Sequence, residues 1–168
     1  MKTIMTGALA SLLLAGQAAA APDFANRQDF ALADRGFVAT RDDPKIVAAD
    51  GRVVWDLSAY DFLKGPPPAS VNPSLWRQSQ LLAKHGLFKV ADGVWQVRGF
   101  DLANATFIAG KTGWIVIDPL TSAETAKAAL DLANAKLGAR PVVAVIYTHS
   151  HGDHFGGARR SEEHTSEL

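Results

Sequence analysis

The junction between Pro141-Val142-Val143-Ala144-Val145-Ile146 and Tyr147-Thr148-His149-Ser150-His151-Gly152-Asp153-His154-Phe155-Gly156-Gly157 restricts the possible folds more than any other stretch. The first run is continuous, apolar and rich in β-branched residues, which predicts a strand buried on both faces. Three histidines and an aspartate then fall within six residues, where that strand ends. His149 and His151 are two apart, so in extended chain their side chains leave on one face and can grip one ion. Gly152 lets the chain turn, so that Asp153 and His154 can serve a second. Gly156 and Gly157 allow backbone to pack close behind the loop, or a helix to start there. A lone histidine usually packs or faces solvent. Four such ligands in HxHxDH order, with a strand before them, predict a metal-binding loop of the kind zinc occupies.

Composition narrows the chemistry further. Cysteine is absent from all 168 residues, so a thiolate zinc site and a disulfide framework are both excluded, and any metal must use nitrogen and oxygen ligands. Lysine plus arginine balances aspartate plus glutamate at 17 each, leaving no overall field to attract nucleic acid or an acidic membrane. No nucleic-acid-reading motif is present. The 48% hydrophobic and 20% charged content suits one globular domain or part of one.

Both ends are set apart from the fold. Lys2, the apolar segment Ile4 to Gly16 and the small residues Ala18-Ala19-Ala20 read as a secretory signal peptide over residues 1–20. That segment is too short for a stable membrane span, so export is expected, to the periplasm in a bacterium. Residues 160–168, Arg160 to Leu168, break the pattern before them and match one reading frame of a common sequencing adapter. They are expected to be an artefact, and His164 within them is not counted as a ligand.

Residues 21–86 read as an N-terminal extension. Phe24, Phe30, Leu32, Phe37 and Val38 anchor an arm with some helix, ended by Asp42-Asp43-Pro44. Ile46 to Ala49 and Val53 to Trp55 flank Asp50-Gly51, a two-residue hairpin signal. Gly65-Pro66-Pro67-Pro68 is a stiff link. A helix is predicted from a cap at Asn72 or Ser74 up to His85, with Gly86 as its stop. His85 is then simply a residue favoured by the helix dipole.

From residue 87 to 159 the pattern is mainly strands, at 88–90, 94–98, 104–109 and 114–118, a meander forming one sheet of a sandwich. Thr121 and Glu124 suggest a capping box opening a helix that runs to Leu137 and stops at Gly138. Strand, helix and strand make a βαβ unit, so the strands ending at Ile117 and Ile146 are expected to be parallel neighbours. Ligands gather outside the carboxyl ends of such strands. Asp118 sits there beside His149 and can accept an imidazole N–H or hold the histidine loop, although an Asp-Pro turn is the simpler reading of that dipeptide.

The histidine loop in this setting resembles the metal-binding loop of the metallo-β-lactamase superfamily. Three runs carry a closer resemblance: Gln96 to Ile108 with its Gly-Phe-Asp-Leu-Ala-Asn, Thr112 to Leu120, and Tyr147 to Gly157. From about Asp50 to Arg159 the chain is similar to the secreted alkylsulfatases of that superfamily. The resemblance implies an αββα sandwich, an α+β fold of which only the N-terminal half is present. It implies hydrolysis of long-chain alkyl sulfate esters such as dodecyl sulfate, with two zinc ions as cofactor, attack at carbon with inversion, and a homodimer in the full-length parent alone. Carried over by position, His149 and His151 bind the first zinc and Asp153 and His154 the second. Two metals held about 3.5–4 Å apart bring the pKa of bound water down to about 7 and polarise the ester oxygens.

The family's remaining ligands, one histidine and two acidic residues, and its sulfate-binding groups would lie after Arg159. The chain as written is therefore expected to be inactive. Two other readings compete. One keeps the fold and changes the substrate to a thioester or lactone, against which stand the long extension and the Gly-Phe-Asp-Leu-Ala-Asn run. The other is a non-catalytic fragment that binds metal weakly through one cluster.

Overall fold

A computed structural model describes residues 23–158, so the expected signal peptide and the adapter-like tail lie outside the described residues. The chain runs α1 (Gln28–Asp34), β1 (Phe37–Ala39), β2 (Lys45–Val47), β3 (Val53–Asp56), a 3-10 helix (Leu57–Leu63) and α2 (Pro73–Leu82). It continues with β4 (Gly86–Ala91), β5 (Val94–Arg98), β6 (Ala105–Ala109), β7 (Trp114–Ile117), α3 (Ala123–Leu137) and β8 (Val142–Ile146). A short 3-10 turn, Gly152–His154, follows. Six strands form one sheet in the order β1-β4-β5-β6-β7-β8, and β2 and β3 form a separate hairpin. Among the described residues no helix is long and apolar enough to cross a membrane.

The meander β4 to β7 is antiparallel throughout, each strand pairing with the next in sequence. The helical crossover makes β7 and β8 parallel, with Ile117 opposite Ile146. One face of this sheet is closed. Leu87, Val97, Phe107, Trp114 and Val116 are almost wholly buried there with Ala129, Leu130 and Ala133 of α3. Alanines on the inward side of α3 favour the helix and let its backbone lie close to the strands. Trp114 centres this layer, edge-on to Trp95 and Phe107 at 5.8 and 6.0 Å, and its indole N–H donates to Asn134 Oδ1 at 2.8 Å.

Several local readings are corrected. The 141–146 strand is not buried on both faces: β8 is the last strand of the sheet, and Val143 and Ile146 stand 44% and 48% exposed. Its apolar run records what the strand can bury, whereas its position decides what it does bury here. The hairpin turn spans more than Asp50-Gly51, because Val47 pairs with Val53 and only Gly51 is left-handed, at φ 85°. The arm supplies a strand, β1, that pairs with β4. Helix α2 is capped by the Asn72 side chain as expected, yet ends at Leu82. Gly86 instead opens β4 at φ 134°, where a side chain would strike the Ala39 carbonyl. His85 lies past the helix, and its Nδ1 is 2.8 Å from the Thr40 hydroxyl.

The capping box of α3 sits one residue later than Thr121 predicts. Ser122 is the cap, with Thr125 as its reciprocal partner. Thr121 is engaged elsewhere, its hydroxyl donating to Asp101. The end of α3 at Leu137, with Gly138 at φ 95°, is as expected.

Candidate metal centre

The parallel pair β7–β8 delivers two chain segments side by side at its carboxyl end. After Ile117 the chain makes a tight turn in which both Asp118 (φ 56°) and Leu120 (φ 68°) are left-handed. An aspartate tolerates that region; a leucine held there costs on the order of 1–3 kcal/mol and persists only where its surroundings fix it. Here they do. The Asp118 N–H donates to Ile146 O at 2.9 Å, Leu120 is fully buried, and Leu120 O accepts the Gly157 N–H at 3.0 Å.

Asp118 meets the histidine loop directly. Its Oδ1 accepts the Thr148 N–H at 2.8 Å, and its Oδ2 accepts the Thr148 hydroxyl at 2.7 Å. The same Oδ2 lies 2.8 Å from His154 Nδ1. An ionised carboxylate only accepts, so that imidazole carries a proton on Nδ1, and its Nε2 faces Asp153 Oδ2 at 3.3 Å. Burial acts to raise the Asp118 carboxyl, but the Thr148 N–H, His154 and the Thr148 hydroxyl outweigh it and hold it below the usual carboxylate value. Thr148 then fixes a second ring. Its one hydroxyl proton is committed to Asp118, so its oxygen, 3.0 Å from His149 Nδ1, is left as an acceptor. His149 thereby also carries a proton on Nδ1, which makes Nε2 the nitrogen that would meet a metal.

The four sequence-predicted ligands come together. The His149 ring lies 4.6 Å from that of His151 and 4.0 Å from that of His154, centroid to centroid. Asp153 Oδ2 is 3.3 Å from His154 Nε2. Asp153 and His154 are half-buried, whereas His149 and His151 are exposed. Among the described residues no group of three or more such side chains is arranged to hold a metal ion; the His149 ring meets that of His151 edge-on and that of His154 at a tilt. The donor set itself, neutral imidazole and carboxylate, suits zinc chemically.

The glycines behind the loop are there for space. A Cβ on Gly156 would meet Thr121 O at 2.1 Å, and one on Gly157 would meet Pro119 O at 2.1 Å. Sequence reasoning missed how much Asp101 contributes: it is 7% exposed, and both its carboxylate oxygens accept hydrogen bonds from the segment that starts α3. A cavity of about 350 Å³ is lined by Trp55, Tyr60, Phe62, His85, Asp101 and Leu102 among others, and by no residue of the histidine loop.

Residues 98–166 match the Metallo-beta-lactamase superfamily. This segment belongs to that superfamily. The chain is 50% identical over 137 residues to an alkyl/aryl-sulfatase of Saccharomyces cerevisiae, across 81% of this chain and 21% of that protein. A linear primary-alkylsulfatase from Pseudomonas sp. is 51% identical over 138 residues, across 81% of this chain and 20% of its own length. An (R)-specific secondary-alkylsulfatase from Pseudomonas sp. reaches 53% over 137 residues. The solved structure of a stereoselective inverting sec-alkylsulfatase from Pseudomonas sp. superposes with a TM-score of 0.77 at 52% identity, covering 82% of this chain and 22% of that one. The chain thus spans about a fifth of the length of the relatives it matches.

Proposed function

We propose that this chain carries one part of the active site of a zinc-dependent alkylsulfatase, an enzyme that converts an alkyl sulfate such as dodecyl sulfate to alcohol and inorganic sulfate. The observation that carries the reading is the loop at the end of β8, where two imidazoles are set with a proton on Nδ1 through Asp118 and Thr148. That arrangement lies in a chain 50–53% identical to alkylsulfatases over four-fifths of its residues.

His149 and His151 would hold one zinc, and Asp153 and His154 the other. When bound, the ions supply Lewis acidity toward the ester oxygens and toward water. The chain's own residues supply orientation. Asp118 keeps a proton on His154 Nδ1 and a negative charge beside it, which makes Nε2 a stronger donor. Thr148 relays the same constraint to His149. Each zinc would need further ligands, as pairs alone fall short of its usual four. Export is part of the proposal, supported by the signal-like residues 1–20, and so is a homodimer of the full-length protein.

The test is sulfate release from dodecyl sulfate by the full-length protein, with a thioester assayed beside it. Chelation should abolish release, and zinc should restore it. A His149→Ala/His151→Ala variant should bind less zinc than the parent. Full activity under strong chelation, or equal zinc uptake by the variant, would sink the reading.

A further inference from the structure

The loop 99–104, Gly99 to Asn104, does more than connect β5 to β6. Its Asp101 carboxylate collects four hydrogen bonds. Oδ1 accepts from the Leu102 N–H and the Thr121 hydroxyl, both at 2.6 Å. Oδ2 accepts from the Thr121 N–H at 3.0 Å and the Thr125 hydroxyl at 2.5 Å. An ionised carboxylate offers about four lone-pair positions, so the acceptor capacity of Asp101 is used in full. Three of the four donors belong to the start of α3. Thr125 is at the same time the partner of the cap residue Ser122.

Thr121 immediately follows the left-handed Leu120, and the opposite side of that turn carries the histidine loop. Leu120 O accepts the Gly157 N–H, and the carbonyls of Thr121 and Pro119 lie against Gly156 and Gly157 with no room for a side chain. The same turn begins with Asp118, which orients His154. Asp101 therefore clamps one side of a strained turn whose other side supports the loop and its orienting carboxylate.

We propose that Asp101 is a positioning residue for the histidine loop, acting through the 118–122 turn. It touches none of the predicted ligands. Its carboxylate fixes Thr121, which adjoins the left-handed Leu120, and the Leu120 carbonyl holds the far end of the loop at Gly157. Its effect on zinc rests on the functional reading above, whereas its effect on the loop does not.

The experiment uses the full-length protein without metal and follows hydrogen–deuterium exchange by mass spectrometry. In Asp101→Asn, exchange over residues 147–158 should quicken at least tenfold, while residues 86–98, which cover β4 and β5, stay within twofold of the parent. Thr121→Val, which removes one hydroxyl donor, should quicken the same segment several-fold, and Thr121→Ser should match the parent. Zinc affinity, measured by competition with a chelator, should fall at least tenfold in Asp101→Asn. Unchanged loop exchange in the folded variant, or equal acceleration of both segments, would overturn the proposal. Should Asp101→Asn not fold, the Thr121→Val and Thr121→Ser pair decides by the same criterion. A parent that binds no zinc but whose loop still responds would refute the metal reading alone; a parent that binds zinc and whose loop ignores both variants would refute the positioning role alone.

Discussion

The layer between the sheet and α3 and the loop beyond β8 are held in place by different physics. The first is apolar burial: Trp114, Phe107, Val97 and Leu87 are at most 1% exposed, and their neighbours on α3 are mostly alanine and leucine. The second is held by two acidic side chains, Asp118 and Asp101, which accept from hydroxyls, backbone amides and one imidazole. Packing is non-directional and tolerates small shifts. Hydrogen bonds to a carboxylate fix direction, which is what a set of metal donors needs. The contrast teaches that damage to the two regions should have different signatures.

The largest effect belongs to the packed layer. Trp114→Ala removes a fully buried indole, two edge-on ring contacts and the bond to Asn134. It should cost about 3–5 kcal/mol, read as a lower urea midpoint for the whole domain. Asp118→Asn tests the other side. In the full-length protein zinc affinity should fall about 10–100-fold, while the urea midpoint moves far less than in Trp114→Ala. If both variants simply melted the domain, the distinction between the regions would collapse.

A subtler probe lies at His85, between α2 and β4. Burial pushes its imidazole below the ordinary histidine value, with Asp61 acting weakly the other way. The unfolded chain therefore binds a proton that the folded chain refuses. Stability should be flat above about pH 6.5 and should decline as pH drops below it, until the depressed folded value is passed. His85→Gln should flatten that limb in pH-dependent urea titrations. The smallest effect is expected on β8, where Val143→Ser should change stability by no more than about 0.5 kcal/mol, because that side chain is 44% exposed.

What could be read from the sequence divides along the same line. Periodic apolar runs gave the meander, the crossover helix to Leu137 and the parallel pairing of β7 with β8, since those features follow from local pattern and from the handedness of a βαβ unit. The proximity of His149, His151, Asp153 and His154 was visible because they are neighbours in the chain. Asp101 was not. It lies 20 residues from Thr121 and 24 from Thr125, and nothing local distinguishes a carboxylate that serves a distant helix start from one in an ordinary turn. The shift of the α3 cap from Thr121 to Ser122 has the same cause, a partner remote in sequence. Burial of β8 was misjudged for a related reason: a strand's composition does not record whether it will be central or last in its sheet.

The crossover from β7 through α3 to β8 has one more consequence. Every predicted ligand, and the carboxylate that orients it, lies between Asp118 and His154 on a single supersecondary unit. Assembly of this cluster thus requires one helical crossover to close, bringing together residues 36 apart in sequence. During synthesis the donors could be set in order as soon as that unit leaves the ribosome, before any partner ligand from later in a longer polypeptide has been made.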